Sequence, residues 1–403
     1  MGFRKNADIF HPARFWICLW TMVIGVTLLD LSYYQREWSI QAWFIILSGL
    51  LSFLVGVLLQ ANKHRALIMK KIPFDIQKIL SPNSRKGFMY AIYFLFTVYI
   101  IAYLLEWKIM GYLPFFSILR EAGRAEWGVF GLHLLVGSIP IILALVSEAF
   151  IVLKTKKIEK IVYSSIFFLT LVSYFFLLNR LYIFIWGFIL IIQIHYLKKR
   201  IKVRQILIFT TVLTGLFIGI GSIRATQFVG NFIYNVSNMK YSKEYANFTG
   251  PYMYVSMNLE NTARGIDKLS SHTYGANVFD FVYAILQVKK PIAKYLHMDK
   301  YQYLVTSSFN TLSYLWYLYW DFGILGVVIG SMLWGYLISM LYYKMRSNPS
   351  FTNVNMYGLT LFMVFLSFFT FLPMMLSSVY HLIIMYFLSR YIDNPKVFAH
   401  IKA

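Results

Sequence analysis

The chain has 403 residues, a net charge of +22, 59% hydrophobic residues and only 13% charged ones. A soluble chain of this length carries about twice that share of charge. With a mean hydropathy of +0.60, these values exclude an ordinary soluble enzyme and a disordered chain, and point to a membrane-embedded protein.

Taken in chain order, apolar runs long enough to cross ~30 Å of hydrocarbon recur at roughly 14–32, 42–60, 88–107, 128–152, 160–178, 180–197, 205–223, 321–343, 355–373 and 375–391. The expected fold class is an all-α integral membrane protein of about ten transmembrane helices. The first run is too long for a signal peptide and lacks a small-residue cleavage site, so it reads as a retained span. The last two are crowded around Pro373 and read as two spans or one kinked unit. With ten spans and the N-terminus inside, twenty-four Lys and Arg fall on the cytoplasmic side, and the short loops on the other side hold five. Positive charge gathers on the inner side of membrane proteins. This asymmetry predicts both termini in the cytoplasm and explains the +22 as topology. No DNA- or RNA-binding motif accompanies the charge, so no nucleic-acid partner is expected. The expected domain plan is one polytopic domain over 1–403, with membrane lipids around it.

Cys18 is the only cysteine, so no intramolecular disulfide is expected. CxxC, HExxH and clustered His/Asp sets are missing, so no protein-built metal site is expected. No P-loop and no GxGxxG occurs, so no nucleotide cofactor is expected.

Between the spans, three places carry chemistry. Arg124 follows Glu121-Ala122-Gly123 in the outer loop after the third span. Leu178-Asn179-Arg180 forms a very tight outer hairpin, which holds Arg180 at the membrane surface. The third is a large outer loop, 224–310, expected to be partly helical and to cover the working surface. Arg224 at its start either snorkels to headgroups or faces a site. Phe248-Thr249-Gly250-Pro251-Tyr252 signals a turn with Pro251 opening a helix that runs to about Lys268. That helix would carry a polar face of Asn258, Asn261, Arg264 and Asp267. Glu260 and Arg264, four apart, suit a surface ion pair. His272 follows, as an inert loop histidine or a base. Ten tyrosines lie in this loop, Tyr252 among them. Tyrosine pairs a flat apolar face with a hydroxyl, which suits a sugar ring. Beyond it, Asn310-Thr311 leads to Asp321 at the mouth of a span, where a carboxylate needs a partner, with an outer arginine expected. Arg124, Arg180, Arg224 and Arg264 share the outer side. A guanidinium fork matches phosphate oxygens, so such a cluster can hold a pyrophosphate without a metal.

Asn179-Arg180 before a span ending in Lys198-Lys199-Arg200, Thr249-Gly250-Pro251 in the large loop, and Asn310-Thr311 followed by Asp321-Phe322-Gly323-Ile324-Leu325-Gly326 together resemble the Wzy-type repeat-unit polymerases of O-antigen and capsule assembly. The resemblance covers most of residues 85–345. It implies a GT-C-like helical bundle in a bacterial cytoplasmic membrane. It implies a metal-independent glycosyltransferase that joins polyprenyl-pyrophosphate-linked oligosaccharide donor and acceptor at the outer face, alongside a chain-length regulator and flippase of the same pathway. In that frame Arg180, Arg224, Arg264, Arg124, Tyr252, Asn310 and Asp321 bind substrate, and His272, Asp267 and Glu260 are the candidates for the base. Two rival readings stand: an O-antigen-ligase-like transferase with the same donor, and a lipid-linked-sugar flippase or transporter. The chain shows no internal repeat of the kind transporters use.

Overall fold

A computed structural model describes residues 8–64, 80, 83–118, 120–202 and 229–394, together with residues 204, 205, 208, 211, 212 and 215. The run expected at 205–223 lies mostly outside these, and so does Arg224. The main helices are α1 Pro12–Thr27, α2 Ile40–Lys63, α3 Ser84–Met110, α4 Ile139–Val152, α5 Lys157–Leu177, α6 Leu181–Gln193, α7 Ala246–Lys268, α8 Tyr314–Ser347, α9 Phe351–Phe365 and α10 Leu376–Asp393. No strand forms among the described residues; Ser32 and Met239 meet in an isolated bridge.

Seven helical stretches among the described residues are long and apolar enough to cross a membrane: Ile40–Lys63, Ser84–Phe116, Leu132–Val152, Lys157–Leu177, Leu181–Lys198, Tyr314–Ser347 and Phe351–Phe368. The chain is therefore a multi-pass helical membrane protein. The run expected at 14–32 is the shorter apolar helix Pro12–Thr27.

The chain folds into two compact units. The first takes the described residues within Met1–Lys71, Val229–Ser347 and Met363–Val379, and the second those within Ile72–Phe228, Asn348–Phe362 and Tyr380–Ala403. In the first unit, α2 and α8 touch backbone to backbone. A Cβ placed on Gly56 would lie 2.0 Å from the Met332 carbonyl oxygen, and one on Gly335 would lie 2.1 Å from that of Phe53. Small residues make such approaches possible between membrane helices. Aromatic rings fill the rest. Trp16 stacks on Phe53 at 3.8 Å, and Trp334 meets Tyr314 edge-on at 5.1 Å. Two indoles find acceptors: Trp16 Nε1 donates to the Leu50 carbonyl at 3.2 Å and Trp20 Nε1 to Ser367 Oγ at 3.2 Å.

α8 breaks at Phe322-Gly323, where Gly323 takes φ 61° and ψ −151°. Only glycine visits that region cheaply. The break releases carbonyls that a continuous helix would use. Thr273 N–H donates to the Trp320 carbonyl at 3.0 Å and Tyr274 N–H to that of Asp321 at 3.1 Å. The loop after α7 is thereby tied to the broken helix.

In the second unit, Asp393 on α10 caps α9. Its carboxylate accepts the Phe351 and Thr352 N–H groups, both at 2.9 Å. The tight hairpin expected at 178–180 is present, because α5 ends at Leu177 and α6 begins at Leu181. Leu178 takes φ 51° there. Asn179 Oδ1 accepts the Leu181 N–H at 2.9 Å, an Asx cap on the start of α6.

Candidate functional site

In the first unit, α7 buries Asn258 and Asn261 of the polar face the sequence suggests, while Asp267 stays exposed. It begins at Ala246, five positions before Pro251, and carries the proline inside. Gly250, just before the ring, has no Cβ for it to strike. Asn258, Asn261 and Thr262 are buried and act as a template for the non-helical segment 305–313. Asn261 Nδ2 donates to the carbonyls of Phe309 at 2.7 Å and Thr311 at 3.0 Å, and its Oδ1 accepts the Val305 N–H at 2.9 Å. Thr311 Oγ1 donates to Asn258 Oδ1, and the Ser313 N–H donates to Thr262 Oγ1 at 3.1 Å.

The α1–α2 loop, which the sequence left without a role, grips the same helix. Arg36 pairs with Asp267 at 2.7 Å, and Ser39 Oγ donates to Asp267 Oδ1 at 2.5 Å. Trp38 Nε1 donates to Glu260 Oε1 at 2.9 Å. The Tyr252 hydroxyl accepts the Leu31 N–H at 3.0 Å and donates to Gln35 Oε1 at 2.5 Å.

These contacts reassign several residues. Asp267 is held by Arg36 and Ser39. Tyr252 is buried with its hydroxyl engaged, so it braces the loop. Asp321 is buried, and its partners are not an arginine. Its carboxylate takes the Thr273 hydroxyl, the Asn277 N–H at 3.1 Å, Asn277 Nδ2 at 2.9 Å and the Val278 N–H at 2.7 Å. The expected Glu260–Arg264 pair does not form, because Glu260 turns to Trp38. Glu260 Oε2 and Arg264 Nε are buried without hydrogen-bond partners. Burial pushes the Glu260 carboxyl from 4.5 up to about 7, against the opposing pull of Trp38 and Arg36. His272 Nδ1 lies 3.3 Å from the Trp320 carbonyl. Asn310 is exposed, and its carbonyl accepts Lys300 Nζ at 3.0 Å. A cavity of about 480 Å³ opens nearby over Trp320 and Tyr303, rimmed by Ser271, Lys294, His297 and Gln302.

The second unit holds a cluster that sequence reasoning missed. Glu106, near the end of α3, is fully buried. Its Oε1 accepts the Val129 N–H at 2.6 Å, and its Oε2 faces His133 Nδ1 at 3.3 Å. The His133 side chain is 41% exposed. Trp127 stands edge-on to its ring at 5.6 Å, and a Cβ on Gly128 would come within 3.2 Å of it. The imidazole is thus gripped on its Nδ1 side, and Nε2 is left for another group. A buried carboxylate on Nδ1 fixes the tautomer that carries a lone pair on Nε2. Arg124 and Arg180 lie close enough to Tyr174 for their charges to act on its hydroxyl, and the charges of Glu106 and Arg124 likewise reach Tyr182. The loop bearing Arg124 is fixed by Tyr112, whose hydroxyl donates to the Gly123 carbonyl at 3.0 Å, and by Trp127 Nε1, which donates to the Tyr112 carbonyl at 3.0 Å. Of the four expected arginines, Arg124 and Arg180 belong to the second unit. Arg264 belongs to the first unit, and Arg224 lies outside the described residues.

Among the described residues, no group of three or more His, Cys, Asp or Glu could hold a metal ion. No known protein family, curated protein or solved structure matches the chain.

Proposed function

We propose that the chain is a membrane glycosyltransferase that joins polyprenyl-pyrophosphate-linked oligosaccharide units at the outer face of a bacterial cytoplasmic membrane, in the manner of the Wzy-type polymerases it resembles. The observation that carries this reading is the Glu106–His133 pair, in the same unit as Arg124 and Arg180, whose charges both act on Tyr174. His133 Nε2 takes the proton of an acceptor sugar hydroxyl. That oxygen attacks the anomeric carbon of the donor glycan. The bond from this carbon to the pyrophosphate oxygen breaks, and polyprenyl pyrophosphate leaves with the electron pair. Arg124 and Arg180 stabilise the charge that develops on it, an interaction stronger in the transition state than before it. Glu106 orients the imidazole and stabilises its protonated form.

The test is polymer formation in membrane vesicles supplied with lipid-linked repeat units, read as a ladder of lengths. Wild-type protein is expected to build the ladder, and His133→Ala to abolish it at normal protein level. An undiminished ladder from His133→Ala removes this site from the reaction. One observation favours a flippase as the second reading: a buried carboxylate, Glu148, within a membrane-crossing helix. Intramembrane carboxylates often mark transport paths. Transfer of lipid-linked glycan across vesicles without polymer growth would select it.

A further inference from the structure

The second unit also contains a polar network that the transferase chemistry does not use. Glu148 on α4, Gln193 at the end of α6, Asn355 on α9 and Ser389 on α10 are all fully buried. Their hydrogen bonds can be counted. Asn355 Nδ2 donates to Glu148 Oε2 at 2.8 Å and to Ser389 Oγ at 2.9 Å. Gln193 Nε2 donates to Asn355 Oδ1 at 2.9 Å and to the Ala144 carbonyl at 3.3 Å. Every amide hydrogen of the two side chains is engaged. Two oxygens are left without a donor, Glu148 Oε1 and Gln193 Oε1. No ion pair reaches Glu148 among the described residues. The charge that does act on it is that of Asp393, another carboxylate. A buried ionised carboxylate without a counter-charge is costly, and so is an acceptor without a donor.

We propose that Glu148, Gln193, Asn355 and Ser389 form a binding site for one alkali cation, sodium by preference. A single carboxylate balances a single positive charge, which selects a monovalent ion over a divalent one. The oxygens are of carboxylate, amide and hydroxyl type, a hard donor set from four helices. A proton on Glu148 would serve only the two orphaned oxygens. A cation also uses the free lone pairs of Asn355 Oδ1 and Ser389 Oγ. The bound ion joins α4, α6, α9 and α10 and stabilises the folded unit by mass action. This site is independent of the transferase reading and survives its failure.

The full chain, purified in detergent, is heated in sodium chloride, potassium chloride or choline chloride at equal ionic strength. The unfolding temperature is expected to rise in sodium with a saturating concentration dependence, and radioactive sodium to bind at one ion per chain. Glu148→Gln is expected to abolish both. Ser389→Ala, which removes one hydroxyl, is expected to raise the half-saturating sodium concentration roughly tenfold and keeps the test open if Glu148→Gln does not fold. Equal unfolding temperatures in sodium and choline overturn the proposal, including the case in which only pH shifts them. So does a sodium response undiminished in both variants.

Discussion

Glu106 and His133 lie 27 positions apart in the chain, and each alone is an unremarkable polar residue at the edge of an apolar run. Their contact gives His133 the properties of an oriented base. His133→Ala is expected to slow polymerisation by roughly 10²–10⁴-fold. Glu106→Gln keeps shape and hydrogen-bonding capacity but removes the carboxylate that holds the imidazole. It is expected to lower kcat with little change in KM, a signature that loss of folding does not give. Arg180→Lys retains the charge and loses the bidentate fork. A lost transition-state contact of ~3 kcal/mol corresponds to about a hundredfold slower transfer, measured with lipid-linked repeat units at matched protein level. At Glu260 the expected effect is on stability. Its folded pKa is raised, from 4.5 to about 7, so the folded state holds the proton more tightly than the unfolded chain. That contribution is fully present below pH 4.5 and is lost as pH rises through about 7. Glu260→Gln is expected to flatten the fall in unfolding temperature over this window. An unchanged pH slope would show that Glu260 is not the group responsible.

Among the elements, α7 shows best why a polar pattern alone misleads. Asn258 and Asn261 recur at helical spacing, and the sequence cannot tell a polar stripe facing water from one facing a non-helical backbone. The segment 305–313 has unpaired N–H and C=O groups that need partners when buried, and Asn261 supplies three of those bonds. Asn261→Ala would strand the Val305 N–H and two carbonyls. It is expected to cost about 2–4 kcal/mol, read as a lower unfolding temperature and as faster proteolytic cleavage within 305–311. In α8 the signal was legible only in part, because a glycine at 323 permits either close packing or an unusual backbone angle. What could not be read was the use of that break, since Thr273 and Asn277 come from the loop after another helix. In α2, Gly56 is a contact point. A Leu there meets the Met332 backbone, which cannot swing aside as a side chain would. It is expected to destabilise by about 1–3 kcal/mol or more and to separate α2 from α8.

For the whole molecule, the testable feature is orientation. Ser271 and Ser308 are exposed, whereas Ser237 is buried with its hydroxyl on the Ile233 carbonyl at 2.6 Å and is unsuitable as a probe. In a Cys18→Ser background, Ser271→Cys and Ser308→Cys in intact cells are expected to react with an impermeant maleimide. Reaction only after permeabilisation would place the large loop inside and remove the outer site with it. The arginines argue the same scale differently. The charge asymmetry predicts Arg124, Arg180, Arg224 and Arg264 on one side of the membrane but does not decide which of them meet. Arg124 and Arg180 both act by charge on Tyr174.

Helical class, membrane residence and the positions of most crossing segments were decided by the sequence itself. Apolar run length and charge placement are local quantities, and the bilayer reads them one segment at a time. The tight Asn179-Arg180 hairpin was local for the same reason. The partners of buried polar groups were not. Asp321 with Asn277, Asp267 with Arg36, Glu106 with His133, and Glu148 with Asn355 are pairings between residues far apart in the chain. Which donor meets which acceptor depends on how helices pack, and in a buried setting each unmet group costs enough to make that packing specific.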